Sequence, residues 1–204
     1  MYLTADRVVQ AMVCAREVLD ALRGLRGGSL RLKISIEEIQ DYVASRSGWK
    51  IIKEEVIYPQ GQYIKGRLER HPGKIAKIHI RKDQDDDWKR VVATKELLHL
   101  IIDVDTDMCP YGDEILDILV LEGHIGILSE SVLEGNRAQS ELIAEIAAME
   151  ILYPLELRNA DITQKLTLGK IALKYGVPEG IAATLLNQRY LGLIQQALNT
   201  IVSD

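Results

Sequence analysis

Lys95-Glu96-Leu97-Leu98-His99 is the stretch of this chain whose residue types and spacing come nearest to a reaction centre. Residues i and i+4 of an α-helix project from one face. Two imidazoles at that spacing can share a zinc ion, and a carboxylate directly after the first can take a proton from the metal-bound water. Here Glu96 stands at the position of the general base and His99 at that of the second imidazole, while Lys95 replaces the first. A lysine binds a metal only after losing its proton. The pattern therefore has the base and one ligand in place and a cation where the other ligand belongs.

The helix that must present these residues is legible from its surroundings. Between Val91 and Val104 nearly every residue is apolar except Thr94, Lys95, Glu96, His99 and Asp103, which predicts a mostly buried helix whose ionisable groups need partners. The acidic run from Asp83 to Asp87 lies where carboxylates favour a helix N-terminus. Upstream, Trp49 to Arg81 reads as three antiparallel strands, separated by Pro59-Gln60-Gly61 and His71-Pro72-Gly73. Before them come a helix over about 4–25, with an apolar stripe at Val8, Met12, Ala15, Leu19, Leu22 and Leu25, and a short helix opened by Ser35 and Glu38 in a capping box and closed at Gly48. A helical run is expected from about Glu114 to Leu121. Downstream, AQSELIAEIAAMEILYP is a strong helix stopped by Pro154, and Glu141 lies on it. The tail holds two helical patterns joined at Gly176-Val177-Pro178, a helix-turn-helix outline.

The KELLH helix, followed by a helix carrying Glu141 that runs through Ala144, Ala147 and Ala148 to Tyr153-Pro154, resembles the ImmA/IrrE family of zinc peptidases. Its members pair an AHELGH-like helix with a later E..AN.FA..LLMP-like helix. The order of a three-stranded sheet before the active helix and the ending KYGVPEGIAATLL are similar too, and the resemblance covers roughly residues 35–195. It implies an α+β, zincin-like core over 35–160 with a small antiparallel sheet packed on helices, preceded by a helix and linker (1–34) and followed by a helical, helix-turn-helix-like part (161–204). It also implies metal ligands at Lys95, His99 and Glu141, with Glu96 as general base. Lys95 departs from that set, and Glu145 replaces the family's asparagine. Two good protein ligands remain, so the cofactor expectation is none, with zinc only where the site still functions.

The substitutions fit one electrostatic reading. The Lys95 ammonium lies near the vacated metal position and pairs with Glu141 or Glu96, supplying the counter-charge that zinc would have given. In the alternative, Lys95 reaches the surface and His99 is a hydrogen-bonded core residue. His71, His79 and His124 have no helix-spaced partner and are read as surface or strand residues.

Members of the family are cytosolic, occur in bacteria, phages and mobile elements, and some cleave or inactivate DNA-binding repressors. The first functional reading is accordingly an inactive or strongly weakened homologue that regulates a repressor, or a prophage function, by protein binding. A second keeps an active zinc endopeptidase in which Asp103 or Glu145 completes the ligands. A third is a DNA-binding regulator using residues 167–190, although its polar candidates Asn187, Gln188 and Arg189 sit at the wrong end of the recognition helix. The net charge of −5 argues against general attraction to nucleic acid, so no DNA-binding residue is assigned. With 47 % hydrophobic and 27 % charged residues the composition is globular. No apolar run is long enough to span a membrane, and the start lacks a signal-peptide layout. A cytoplasmic protein is expected, with Cys14 and Cys109 as reduced thiols. Oligomeric state is not encoded in any motif.

Overall fold

Ser35 and Glu38 cap a helix reciprocally. In the computed structural model, which describes residues 5–28, 33–59, 64–103 and 136–203, the Ser35 hydroxyl accepts from the Glu38 N–H and the Glu38 carboxylate accepts from the Ser35 N–H. Two donors left over at a helix start are thereby satisfied. The helix, α2 (Ile36–Ser47), stops at Gly48, whose φ of 73° is the left-handed conformation glycine tolerates. Ahead of it, α1 (Ala5–Leu25) buries Val8, Met12, Ala15, Leu19 and Leu22. Leu25, expected in the same stripe, is 78 % exposed: it is the last helical residue, where the chain turns through Gly27 and Gly28 at positive φ.

The sheet corrects an expectation. Its strands are β1 (Lys50–Val56), β2 (Gly66–His71) and β3 (Ile75–Arg81), in the order β1-β3-β2. The hairpin at residues 72–74 makes β2 and β3 antiparallel, but β1 runs parallel to β3, with Lys50 opposite Ile75 and Val56 opposite Arg81. The sheet is mixed, because β1 pairs with β3 and not with β2, the strand that follows it in sequence. Composition explains the order. On β3, Ala76, Ile78 and Ile80 are buried, so this strand takes the centre, while the charged residues of β1 (Lys53, Glu54, Glu55) and β2 (Arg67, Glu69, Arg70) suit the two edges.

Helix α3 (Asp86–Ile102) starts inside the acidic run, with Asp85 as its N-cap. No side-chain cap bond forms there, so Asp86 and Asp87 in the first turn act through the helix dipole. Residues Val91 to Leu100 are all buried, as the apolar sequence requires. Gly66 lets β2 approach this helix closely: a Cβ there would lie 2.2 Å from Val92 Cγ1 and 3.5 Å from Glu96 Cγ. Gly66→Ala is therefore expected to lower stability by about 1–3 kcal/mol through overpacking, and adding Val92→Ala should restore part of the loss. Urea unfolding of the three variants checks this; an unchanged midpoint in Gly66→Ala would contradict the packing.

Helix α4 (Asn136–Leu152) packs against both α1 and α3. The chain then breaks at Pro154, the N-cap of α5 (Leu155–Thr163), and continues through α6 (Leu168–Tyr175), α7 (Glu179–Leu185) and α8 (Gln188–Ser203). Gly176 at φ 64° turns α6 into α7, and Arg90 of α3 clamps that turn, donating to Gly176 O (2.9 Å) and Ile34 O (2.8 Å). One apolar cluster runs from α1 and α2 through β3, α3 and α4 into the C-terminal helices. The architecture is α+β, and among the described residues no helix is long and apolar enough to cross a membrane.

Candidate functional site

The apolar flanks of α3 and α4 drive these two helices together, and the polar residues they carry have to meet between them. Lys95 (1 % exposed), Glu96, His99, Ser140, Glu141 and Glu145 are all buried. The Lys95 ammonium donates to Glu141 Oε2 at 3.0 Å and lies 3.2 Å from Glu96 Oε1. Lys95 thus faces inward, between two carboxylates, and does not extend to the surface.

His99 sits between two further carboxylate oxygens. Nδ1 is 3.0 Å from Asp103 Oδ1, one helical turn on, and Nε2 is 3.3 Å from Glu141 Oε1. The Nε2 contact lacks hydrogen-bond alignment, so this nitrogen is buried with an ion-pair neighbour and no hydrogen bond. Asp103 is held from the other side by Arg70 of β2, whose Nη2 donates to Asp103 Oδ2 (2.9 Å) and His99 O (2.7 Å), and by the Ser140 hydroxyl. Each cation therefore has a carboxylate within 3.0 Å: Lys95 has Glu141, His99 and Arg70 share Asp103.

The protonation states follow from these contacts. Burial alone would lower the His99 imidazole, but Asp103 and Glu141 outweigh it and hold the group up at about 9, so it is an imidazolium at neutral pH. Burial would raise Glu141; His99 and Lys95 reverse this and bring it down to about 2. Asp103, also opposed by burial, is kept below the usual carboxylate range by His99, Ser140 and Arg70. Glu145, one turn beyond Glu141, is pushed up to about 7 by burial, with Lys95 opposing the shift and Glu141 adding to it.

Zinc fits this donor set poorly. The unbonded Nε2 of His99 and the facing Glu141 oxygen are the kind of pair a metal would join, but the third position holds an ammonium. A divalent ion about 4 Å from that ammonium would be repelled by on the order of 8 kcal/mol at an effective dielectric near 20. Asp103, named as a replacement ligand, is engaged by Arg70, Ser140 and the far side of the ring. Glu145 is buried nearby, where burial opposes its ionisation. Among the described residues no three His, Cys, Asp or Glu side chains are grouped to hold a metal ion. A serine-type relay is not formed either, because Ser140 and Asp103 approach the same nitrogen of His99.

The structure brings together Lys95, Glu96, His99 and Glu141, all singled out by sequence, with Asp103, which the sequence offers as a replacement ligand and which here positions His99, and it adds Arg70 and Ser140 as further positioning groups. Asp103 carries a sequence signal as the carboxylate four residues beyond His99 on the same helix face; Ser140 and Arg70 have no comparable signal. His71 and His79 lie on the sheet face away from α3, near Glu69 and Glu54 at 3.5–3.9 Å. His124, Cys109 and the expected helix at 114–121 lie outside the described residues; Cys14 is a free thiol.

A second buried polar cluster has no motif in the sequence that marks it. Arg158, fully buried, donates to Glu150 Oε1 (2.5 Å) and twice to Tyr153 O (2.7 and 3.0 Å), and the Tyr190 hydroxyl also reaches Glu150 (3.2 Å). Tyr153 stacks on Tyr175 at 4.3 Å and donates to Asp161, which also accepts from Lys174 at 2.6 Å. This cluster ties α5, α6 and α8 to the far end of α4. In the tail, α7 ends at Leu185, and Asn187 is occupied in accepting from the Arg189 N–H.

No protein-family model, curated protein or solved structure matches the chain.

Proposed function

We propose that this protein is a catalytically degenerate metallopeptidase homologue of the ImmA/IrrE type, with a zincin-like core and a helix-turn-helix-like C-terminal part. It acts in the cytoplasm by binding another protein, with a DNA-binding repressor or a phage or mobile-element factor as the partner. The observation that carries the reading is the buried Lys95 ammonium, held at 3.0 Å by Glu141 and 3.2 Å by Glu96 on two packed helices. That arrangement keeps the peptidase constellation as a structural element and takes from Glu96 the metal-bound water it would need as a base.

Incubation of the purified chain with a peptide library and added zinc, followed by mass spectrometry, tests the loss of catalysis. The expected result is the same product pattern for the parent and for Glu96→Gln. Cleavage that disappears in Glu96→Gln would establish the active-peptidase reading, which the unbonded Nε2 of His99 favours. In cells, crosslinking through the parent and through Glu96→Gln should capture one DNA-binding protein equally, because binding does not depend on the base.

A further inference from the structure

The site's donors and its occupant disagree, and the disagreement is informative. His99 Nε2 is a buried nitrogen without a hydrogen bond, 3.3 Å from Glu141 Oε1. Native proteins rarely leave such an atom unsatisfied without a reason. The other oxygen of the same carboxylate is taken by the Lys95 ammonium at 3.0 Å, and Lys95 also neutralises Glu96. Behind the ring, Asp103 is fixed by Arg70 and Ser140, so His99 is oriented from its Nδ1 side by a carboxylate, the support that metal-bound imidazoles usually have. The pocket thus keeps two ligands and a supporting shell, and it is filled by a cation that belongs to the chain.

We infer that Lys95 is a built-in counter-ion occupying a latent divalent-cation pocket: the native protein excludes zinc because its own ammonium holds the place, and one substitution opens the site. The ligand class is a first-row divalent ion that accepts imidazole and carboxylate together, such as zinc or cobalt. The inference rests on the site geometry that also supports the proposed function, but the two fail separately, since one is read by metal uptake and the other by cleavage.

Cobalt(II) and zinc are offered to the full chain, to Lys95→His and to Lys95→His/Glu141→Gln. Uptake is read as metal retained after dialysis and as the visible absorption of bound cobalt. The native chain should retain less than about a tenth of an equivalent, Lys95→His about one, and the double variant should bind at least about tenfold more weakly, one lost ligand contact being worth that much or more. Circular dichroism establishes that each variant is folded. A folded Lys95→His that retains no more metal than the native chain overturns the latent site, and an equivalent of zinc in the native chain overturns the exclusion.

A measurement on the native chain keeps the inference testable should Lys95→His not fold. The Lys95 side-chain ammonium, enclosed and hydrogen-bonded, should give a resolved nitrogen–proton resonance, assigned by its absence in Lys95→Arg. Excess zinc should leave it in place. Displacement or loss of that resonance on adding zinc would show that the metal evicts the lysine and would overturn the inference.

Discussion

Arg158→Ala is expected to destabilise the protein by about 3–5 kcal/mol, the cost of breaking a buried ion pair from one side. Its guanidinium has no exposed surface, and it satisfies both Glu150 and the Tyr153 carbonyl where α4 gives way to α5. Burial already pushes the Glu150 carboxyl upward, and Arg158 is the chief opposing influence. Once the cation is gone, Glu150 must take up a proton or remain charged without compensation, and the Tyr153 carbonyl loses its donors. For a chain of this length the fall in melting temperature should be roughly 6–20 °C. Glu150→Gln in the Arg158→Ala background should recover part of the loss, since it removes the stranded charge. Thermal and urea unfolding of both variants decides the matter, and an Arg158→Ala midpoint within error of the parent would show that the cluster carries no net stabilisation.

Lys95→Met is expected to cost a similar amount, about 3–5 kcal/mol, for a related reason. Methionine keeps most of the side-chain volume, so the change isolates the charge. Glu96 and Glu141 would then share the interior without the ammonium between them, with His99 Nε2 3.3 Å from Glu141. The companion variant Lys95→Met/Glu141→Gln should be more stable than Lys95→Met alone, the opposite of what two independent losses would give. If Lys95→Met unfolds at the parent's denaturant concentration, the ammonium is not what holds these carboxylates in the interior. This experiment concerns folding only, and is separate from metal uptake.

Local signals made part of the fold legible. Ser35 and Glu38 mark α2 because a capping box is written within four residues, and Gly48 marks its end for the same kind of reason. The burial of α3 could be read because almost every residue from Val91 onward is apolar, which leaves Lys95, Glu96 and His99 without a solvated face. Ionisable groups buried in this way need partners, and Glu141 on α4 is one of them. Strand order was not legible in the same way. Alternation specifies which face of β3 is inward but says nothing of which strand lies beside it, and that depends on contacts far apart in sequence. Arg70 escaped for a similar reason: it sits among charged residues of an edge strand, and only the packing of β2 on α3 carries its guanidinium to Asp103. The Arg158 cluster escaped because Glu150, Tyr153, Arg158 and Tyr190 look like ordinary amphipathic positions until four helices converge on them.

The placement of β1 beside β3 has a consequence for how the protein is made. The β2–β3 hairpin closes through a tight turn and can form as soon as Arg81 has left the ribosome, whereas β1, synthesised first, must wait for the later strand before it has a partner. During that interval β1 is an unpaired nascent strand. Its Lys53-Glu54-Glu55 run then guards against pairing with neighbouring chains, and replacing those charges would be felt first as lower yield during synthesis, before any change in the finished fold.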